Sequence, residues 1–213
     1  MTNPVAATAI NVLLTAALAA ATVAGFVLVP AGRDLPVHWG VTGAADGFLP
    51  RDVALLLLPA IAALVLVVLL WSRKGDAAAG GRYALAAAIP MLLGLFVALQ
   101  VAIVMIGAGI GVDMVRLIVL ALGIMFVVLG NVLPKTQPNR FAGVRLPWTL
   151  ADAANWQATN RLAGWLMVLG GLLMAGTALA SGRPEILLSA TAVGVIAPIV
   201  AATFFSYRFA RRR

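Results

Sequence analysis

The chain has 213 residues, 63% of them hydrophobic and 10% charged, with no cysteine and a formal charge of +8. A soluble domain carries about 25% charged residues, so this composition excludes a soluble globular protein and fits a single polytopic membrane domain over 1–213. The lack of thiols excludes disulfides and thiolate chemistry, and the positive charge reads as basic loops against anionic lipid, with no direct nucleic-acid binding.

A membrane-spanning helix needs about 20 apolar residues. The first such run is roughly Ala6 to Val29. No Lys or Arg precedes Arg33, and the run exceeds the roughly 7–15 apolar residues of a secretory signal, so it is predicted to be a retained span. Ala16, Ala20 and Ala24, with Ala17, Ala21 and Gly25, form small-residue faces suited to close helix packing. The segment 30–52 follows and contains GRDLPVHWGVTGAADGFLPRD. Its Gly, Pro and Asp residues stop a helix and predict an ordered loop. Gly43 and Gly47 would permit positive φ, and Trp39 would sit at headgroup level.

The second run, roughly Val53 to Trp71, contains Pro59, which a membrane helix tolerates as a kink. A short basic loop with Arg73, Lys74 and Arg82 leads to a third run near Tyr83–Ile106, which holds Pro90 and Gln100. Gly107, Gly109 and Gly111 then form a tight turn. The fourth run is roughly Met114 to Leu133, with Asp113 and Arg116 spaced to pair at its start. Leu133-Pro134 ends it.

The segment 130–161 is longer and richer in Trp, Arg and Pro than a plain connector needs. Thr149 with Asp152 reads as a capping box, which predicts a helix starting near Leu150. That helix runs along the interface and becomes the fifth span at roughly Leu162–Ala180. The sixth is roughly Ile186–Tyr207, with Pro198 inside, before a tail of Arg208 and Arg211 to Arg213. The fold class is therefore all-α, with six transmembrane helices. Span, long loop, span, short loop, span occurs twice, and each long loop holds an Arg, a Leu-Pro and a Trp. That order predicts a three-plus-three inverted repeat.

Six spans put Arg73, Lys74, Arg82, Lys135, Arg140, Arg145, Arg161, Arg208 and Arg211 to Arg213 on one side, against Arg33, Arg51, Arg116 and Arg183 on the other. The positive-inside rule makes the first side cytoplasmic, with both termini.

Chemistry is sparse. The single histidine, His38, has Asp34 and Asp46 nearby in sequence, a weak signature beside the several His or Cys ligands of a usual zinc site. No catalytic set, metal or cofactor is expected. Gln100, Thr177, Ser189, Thr191 and Thr203 are the deep polar residues. Such groups more often pack and bond to backbone than line an ion path.

Two stretches resemble the SdpI family of bacterial membrane proteins, whose founding member is an immunity protein against a secreted toxin. One is Leu35, Pro36, His38, Trp39, Gly43, Asp46 and Gly47. The other runs through Gly130, Asn131, Leu133, Pro134, Lys135, Asn139, Gly143, Arg145, Pro147, Trp148, Thr149 and Leu150, then Trp156, Thr159, Arg161, Gly164 and Trp165. Leu146 and Asn160 depart from the pattern, standing where relatives often carry Thr and His. The resemblance implies a multi-pass protein of the bacterial inner membrane that protects against a secreted peptide toxin. It also implies signalling, by holding a cytoplasmic winged-helix repressor at the membrane. On that reading His38, Trp39, Gly43 and Asp46 shape a toxin-facing loop. Asn131, Lys135, Asn139, Arg145, Pro147, Trp148, Thr149, Trp156 and Arg161 form a cytoplasmic motif, either as loop architecture or as a partner surface. A small-solute transporter or channel is the rival reading, and an intramembrane enzyme the third.

Overall fold

The computed structural model describes residues 4–72 and 76–212, so Arg73, Lys74 and Arg213 lie outside the described residues. Six long helices result: α1 (Pro4–Leu28), α2 (Arg51–Ser72), α3 (Arg82–Gly107), α4 (Met114–Val132), α6 (Ala153–Ala180) and α7 (Pro184–Ala210), with a short α5 (Pro147–Ala151) before α6. All six are long and apolar enough to cross a membrane. In the first half α1 packs mainly on α3, with α2 alongside. In the second half α6 lies between α4 and α7 and packs along both. The two halves thus use different helix pairs, although their long loops fall at opposite ends.

Glycines set the packing of the second half. Gly123 and Gly130 of α4 are seven residues apart, as are Gly164 and Gly171 of α6. The helices run antiparallel, so Gly123 meets Gly171 and Gly130 meets Gly164. A Cβ on Gly164 would lie 2.5 Å from the Gly130 carbonyl oxygen, and one on Gly171 would lie 2.5 Å from that of Gly123. Only glycine permits this approach, and lipid tails offer no hydrophobic drive to replace it. Gly170 meets Gly194 of α7 in the same way. The Gly194 carbonyl is the one Pro198, four residues on, cannot bond.

α1 buries Leu18, Thr22 and Gly25 on one helical face, which Val29 continues just past its end. Of the small residues expected to pack, Gly25 is buried against Leu55 and Val104 and Ala21 and Ala24 are half-buried, while Ala16, Ala17 and Ala20 are exposed.

The segment expected as a loop after α1 is a β-hairpin, β1 (Asp34–Trp39) against β2 (Ala45–Pro50). Leu35, Val37 and Trp39 alternate, and pack with Leu49 on a core of Val29, Leu55, Ile103 and Met114. This period of two is a strand signal, and Pro36 is tolerated because a two-stranded sheet is all edge. Gly43 has φ 80° at the tip, as expected. Gly47 does not take positive φ. It is glycine because it faces His38, whose Cβ would sit 2.9 Å from a Cβ there.

Two arginines at the hairpin end act as helix caps. Arg51 donates to the Val29 carbonyl just after α1 (3.0 Å). Arg116 donates to the Ala178 and Leu179 carbonyls at the end of α6. Each guanidinium thus meets the negative end of a helix dipole. The expected Asp113–Arg116 side-chain pair does not form. Asp113 instead caps α4 by accepting the Arg116 backbone N–H (3.0 Å).

Candidate functional site

The two family-like stretches lie at opposite ends of the bundle. At the end carrying both termini, 130–161 folds around buried side-chain amides and hydroxyls. The chain leaves α4 through a tight turn, Leu133–Lys135. Asn139 then closes its own turn: its Oδ1 accepts the Phe141 and Ala142 N–H groups (2.8 Å each), and its Nδ2 donates to the Gln137 carbonyl (2.7 Å). The backbone N–H of Gln137 donates to the Gly80 carbonyl (2.9 Å), which ties this segment to the turn before α3.

Gly143 has φ 121° and lies against Asn160 and the Trp156 ring, where a side chain would collide. That close approach lets Asn160 Oδ1 accept the Val144 N–H (2.8 Å) while its Nδ2 donates to the Trp156 carbonyl (3.0 Å). Trp156 is fully buried and its indole N–H donates to the Thr136 carbonyl (3.1 Å). Side chains and neighbouring backbone thus satisfy the N–H groups of Gln137, Phe141, Ala142 and Val144 inside the protein, as burial demands.

The helix start differs from the one expected. Pro147 occupies the first turn of α5, where its missing N–H costs nothing. Thr149 is inside that turn and fully buried. Its hydroxyl accepts the Leu146 N–H (2.9 Å) and donates to the Val144 carbonyl (2.7 Å). The cap of the long helix is Asp152, which accepts the Ala154 N–H (2.8 Å). So α6 begins at Ala153, three residues after the start expected near Leu150, and runs unbroken through the expected span at Leu162–Ala180.

A second layer joins α6 to the end of α7. Asn155 Nδ2 donates to the Ser206 carbonyl (3.0 Å), and Thr159 donates to Asn155 Oδ1 (2.8 Å). The Trp148 indole N–H donates to the Ser206 hydroxyl (3.0 Å), and its ring meets Tyr207 edge-on at 5.8 Å. Asn155, Thr136 and Ser206 were not singled out from sequence. The signal was there in the pairs Asn155–Thr159 and Trp156–Asn160, four residues apart on one helical face.

Of the motif residues, then, Asn139, Thr149 and Trp156 are buried and Trp148 is half-buried, while Asn131, Lys135, Arg145, Pro147 and Arg161 are exposed. Arg145 is folded back to donate to the Arg140 carbonyl. The arginine–aromatic contacts at this end are Arg82 over Tyr83, Arg208 over Phe204 and Arg211 over Tyr207.

At the other end, His38 Nδ1 and Asp46 Oδ1 are 2.5 Å apart across the hairpin, on its exposed face. Asp34 pairs with Pro50 at the far end of the strands. No group of three metal-ligating side chains gathers among the described residues. Trp39 is half-buried against the helices rather than displayed, and a Cβ on Gly43 would lie 2.9 Å from the Pro184 ring at the start of α7.

Each end also holds an apolar cleft of about 400 Å³. One lies under the hairpin, bordered by Trp39, Ile118 and Leu188. The other lies beside Phe141 and Val144, between Leu85 and Met167. Neither is lined by Gln100 or Thr177.

Six apolar spans with a polar, internally bonded connector define a multi-pass α-helical membrane protein. The comparisons with known proteins show what it is similar to. The model of the SdpI/YfhL protein family matches residues 135–207, the stretch just described together with α6 and most of α7. The chain is also 24% identical, over 180 residues, to the immunity protein SdpI of Bacillus subtilis strain 168, covering 84% of this chain and 85% of that protein. The resemblance to the SdpI/YfhL family is thus borne out in the motif that carries it. No solved structure gives a significant match.

Proposed function

We propose that this protein is an immunity protein of the bacterial inner membrane that protects against a secreted peptide toxin. The observation carrying this reading is the likeness to the Bacillus subtilis immunity protein across most of both chains. In this reading the hairpin faces outward and presents His38 and Asp46 to the toxin, with Gly43 at its tip and Trp39 seating it on the helices. The opposite end, with both termini, faces the cytoplasm.

Charge supports that orientation. Of the four basic residues at the hairpin end, Arg51 and Arg116 are held as helix caps. The other end displays Arg82, Lys135, Arg140, Arg145, Arg161, Arg208, Arg211 and Arg212 at its surface, which suits an anionic inner leaflet. There Asn131, Lys135, Arg145, Pro147 and Arg161 offer a surface for a cytoplasmic partner such as a winged-helix repressor. The buried Asn139, Thr149 and Trp156 hold that surface in shape.

Two observations weigh against the rivals. Gln100 donates its amide N–H groups to Thr22 and Leu55, Thr177 bonds to its own helix, and neither lines one of the two clefts. The described residues also bring together no nucleophile, base and acid, which disfavours an enzyme. The test is survival of a toxin-sensitive bacterium expressing this chain and challenged with the peptide secreted by its natural neighbour. Survival should rise with membrane abundance of the protein. Unchanged killing at verified abundance refutes the reading.

A further inference from the structure

Four motif residues take no part in the buried network of 130–161. Asn131, Lys135, Arg161 and Trp165 are all exposed, and none has a side-chain hydrogen bond or ion pair among the described residues. Helix geometry gathers them. α4 and α6 meet at Gly130 and Gly164. At about 100° per residue, Asn131 lies roughly 100° round α4 from Gly130. Arg161 and Trp165 lie roughly 60° and 100° round α6 from Gly164, in the same rotational sense. Because the two helices run antiparallel, equal senses lead to one side of the seam. Lys135 completes the group from the turn after α4. Its neighbour Pro134 packs on Gly164, and the Pro134 carbonyl accepts Gln157 Nε2 (2.8 Å), one turn before Arg161 on α6.

This side of the seam is graded from charged to apolar. Lys135 and Arg161 stand at the end of the bundle. Trp165, 65% exposed, lies one turn, about 6 Å, further in. Exposed Ile124 of α4 and Leu172 of α6 continue below it. Tryptophan favours the headgroup level of a membrane, so Trp165 sets the two cations at the depth of lipid phosphates.

Charge selects the headgroup. Neither α4 nor α6 contains Asp or Glu, so a headgroup ammonium would meet no carboxylate on this seam. The arginine fork takes two phosphate oxygens and lysine adds a point charge. Basic recesses between membrane helices bind anionic headgroups on these terms. A cytoplasmic protein could meet the cations but not Trp165 and Leu172 at membrane depth; a phospholipid meets all of them. We propose that this seam binds one anionic phospholipid from the leaflet on the side of the two termini. Its phosphate is held by Lys135 and Arg161 beside the Asn131 amide, and an acyl chain lies along Trp165 and Leu172. Arg145 and Pro147, in the loop beyond, are left for a cytoplasmic partner. The site needs only the membrane-spanning helices and stands apart from the immunity reading.

The test is native mass spectrometry of the full chain in detergent, titrated with phosphatidylglycerol or phosphatidylethanolamine. One phosphatidylglycerol should bind at a concentration several-fold below that needed for phosphatidylethanolamine. Lys135→Gln with Arg161→Gln should abolish that preference. Arg208→Gln with Arg212→Gln removes the same charge from the same end and should leave it intact. Trp165→Ala should weaken phosphatidylglycerol binding several-fold at unchanged charge, and inorganic phosphate alone should not displace the lipid. Thermal unfolding confirms that the variants scored are folded. Equal affinity for the two lipids, equal loss in the two double variants, full binding by Trp165→Ala, or displacement by phosphate alone overturns the proposal.

Discussion

Gln100 Nε2 donates to the Leu55 carbonyl at 3.0 Å, and that carbonyl lies four residues before Pro59. Proline has no N–H to offer it. A side chain from α3 therefore repairs a break in α2, and the same amide reaches Thr22 of α1 (3.2 Å), so one buried group joins three helices. Gln100→Leu should destabilise the protein by about 1 kcal/mol, the usual scale for a hydrogen bond between membrane helices. Pro59→Ala restores an N–H for Leu55, so the double variant should recover much of that loss. Thermal unfolding in detergent reads both. A double variant no more stable than Gln100→Leu alone rejects the repair.

The glycine contacts make a sharper contrast. Gly164→Ala puts a methyl 2.5 Å from the Gly130 carbonyl and 2.8 Å from the Pro134 ring. It should cost about 1–3 kcal/mol by overpacking. Gly176→Ala, in the same helix, meets nothing within 4 Å. It should be neutral or stabilising by up to about 1 kcal/mol through helix propensity. Comparable unfolding midpoints for the two variants would show that the close crossing of α4 and α6 is not under strain.

Much of this architecture was legible in the chain. The spans stand out because each apolar run exceeds the bilayer requirement, and Pro134, Pro147 and Gly182 mark their ends. The hairpin was not read, because turn residues at 40–47 hid the alternation of Leu35, Val37 and Trp39. The start of α6 was misplaced because two capping groups, Thr149 and Asp152, lie three residues apart. Only the backbone decides that the first sits inside a short helix while the second opens the long one. The pairing of Gly123 with Gly171 needs the antiparallel register of α4 and α6, which one chain without tertiary contacts does not reveal.

The buried amides should separate architecture from recognition at the motif end. Asn160→Ala leaves the half-buried Val144 N–H without its acceptor. It should cost about 1–3 kcal/mol, the usual penalty for an orphaned polar group. Arg161→Ala removes an exposed charge and should move stability by less than about 0.5 kcal/mol. The comparison needs only unfolding midpoints. Equal losses would mean that Arg161 holds the loop as firmly as Asn160 does.

Orientation can be read chemically because the chain contains no cysteine. Val41 at the hairpin tip is 78% exposed, and Arg161 is exposed at the other end. A membrane-impermeant maleimide added to intact cells should label Val41→Cys and spare Arg161→Cys, which should react only after permeabilisation. The reverse pattern would put the hairpin in the cytoplasm and withdraw the toxin-facing role proposed for it.

The final prediction concerns the division of labour between the two ends. The His38–Asp46 pair is exposed, with side chains 70% and 53% accessible, so solvent screens it and its removal should cost under about 1 kcal/mol. Asp46→Asn should therefore leave membrane abundance intact while lowering survival under toxin, if this face meets the toxin. Trp39→Ala should lower survival too, but with a stability loss, because Trp39 packs on the helices beneath the hairpin. Arg145→Ala at the opposite end should spare survival and weaken co-purification of a cytoplasmic repressor. Its guanidinium holds a single loop carbonyl and is otherwise on display. Survival, abundance and co-purification measured on these three variants decide the matter. Loss of survival with Arg145→Ala at normal abundance, or none with Asp46→Asn, would mean that protection does not reside on the hairpin face.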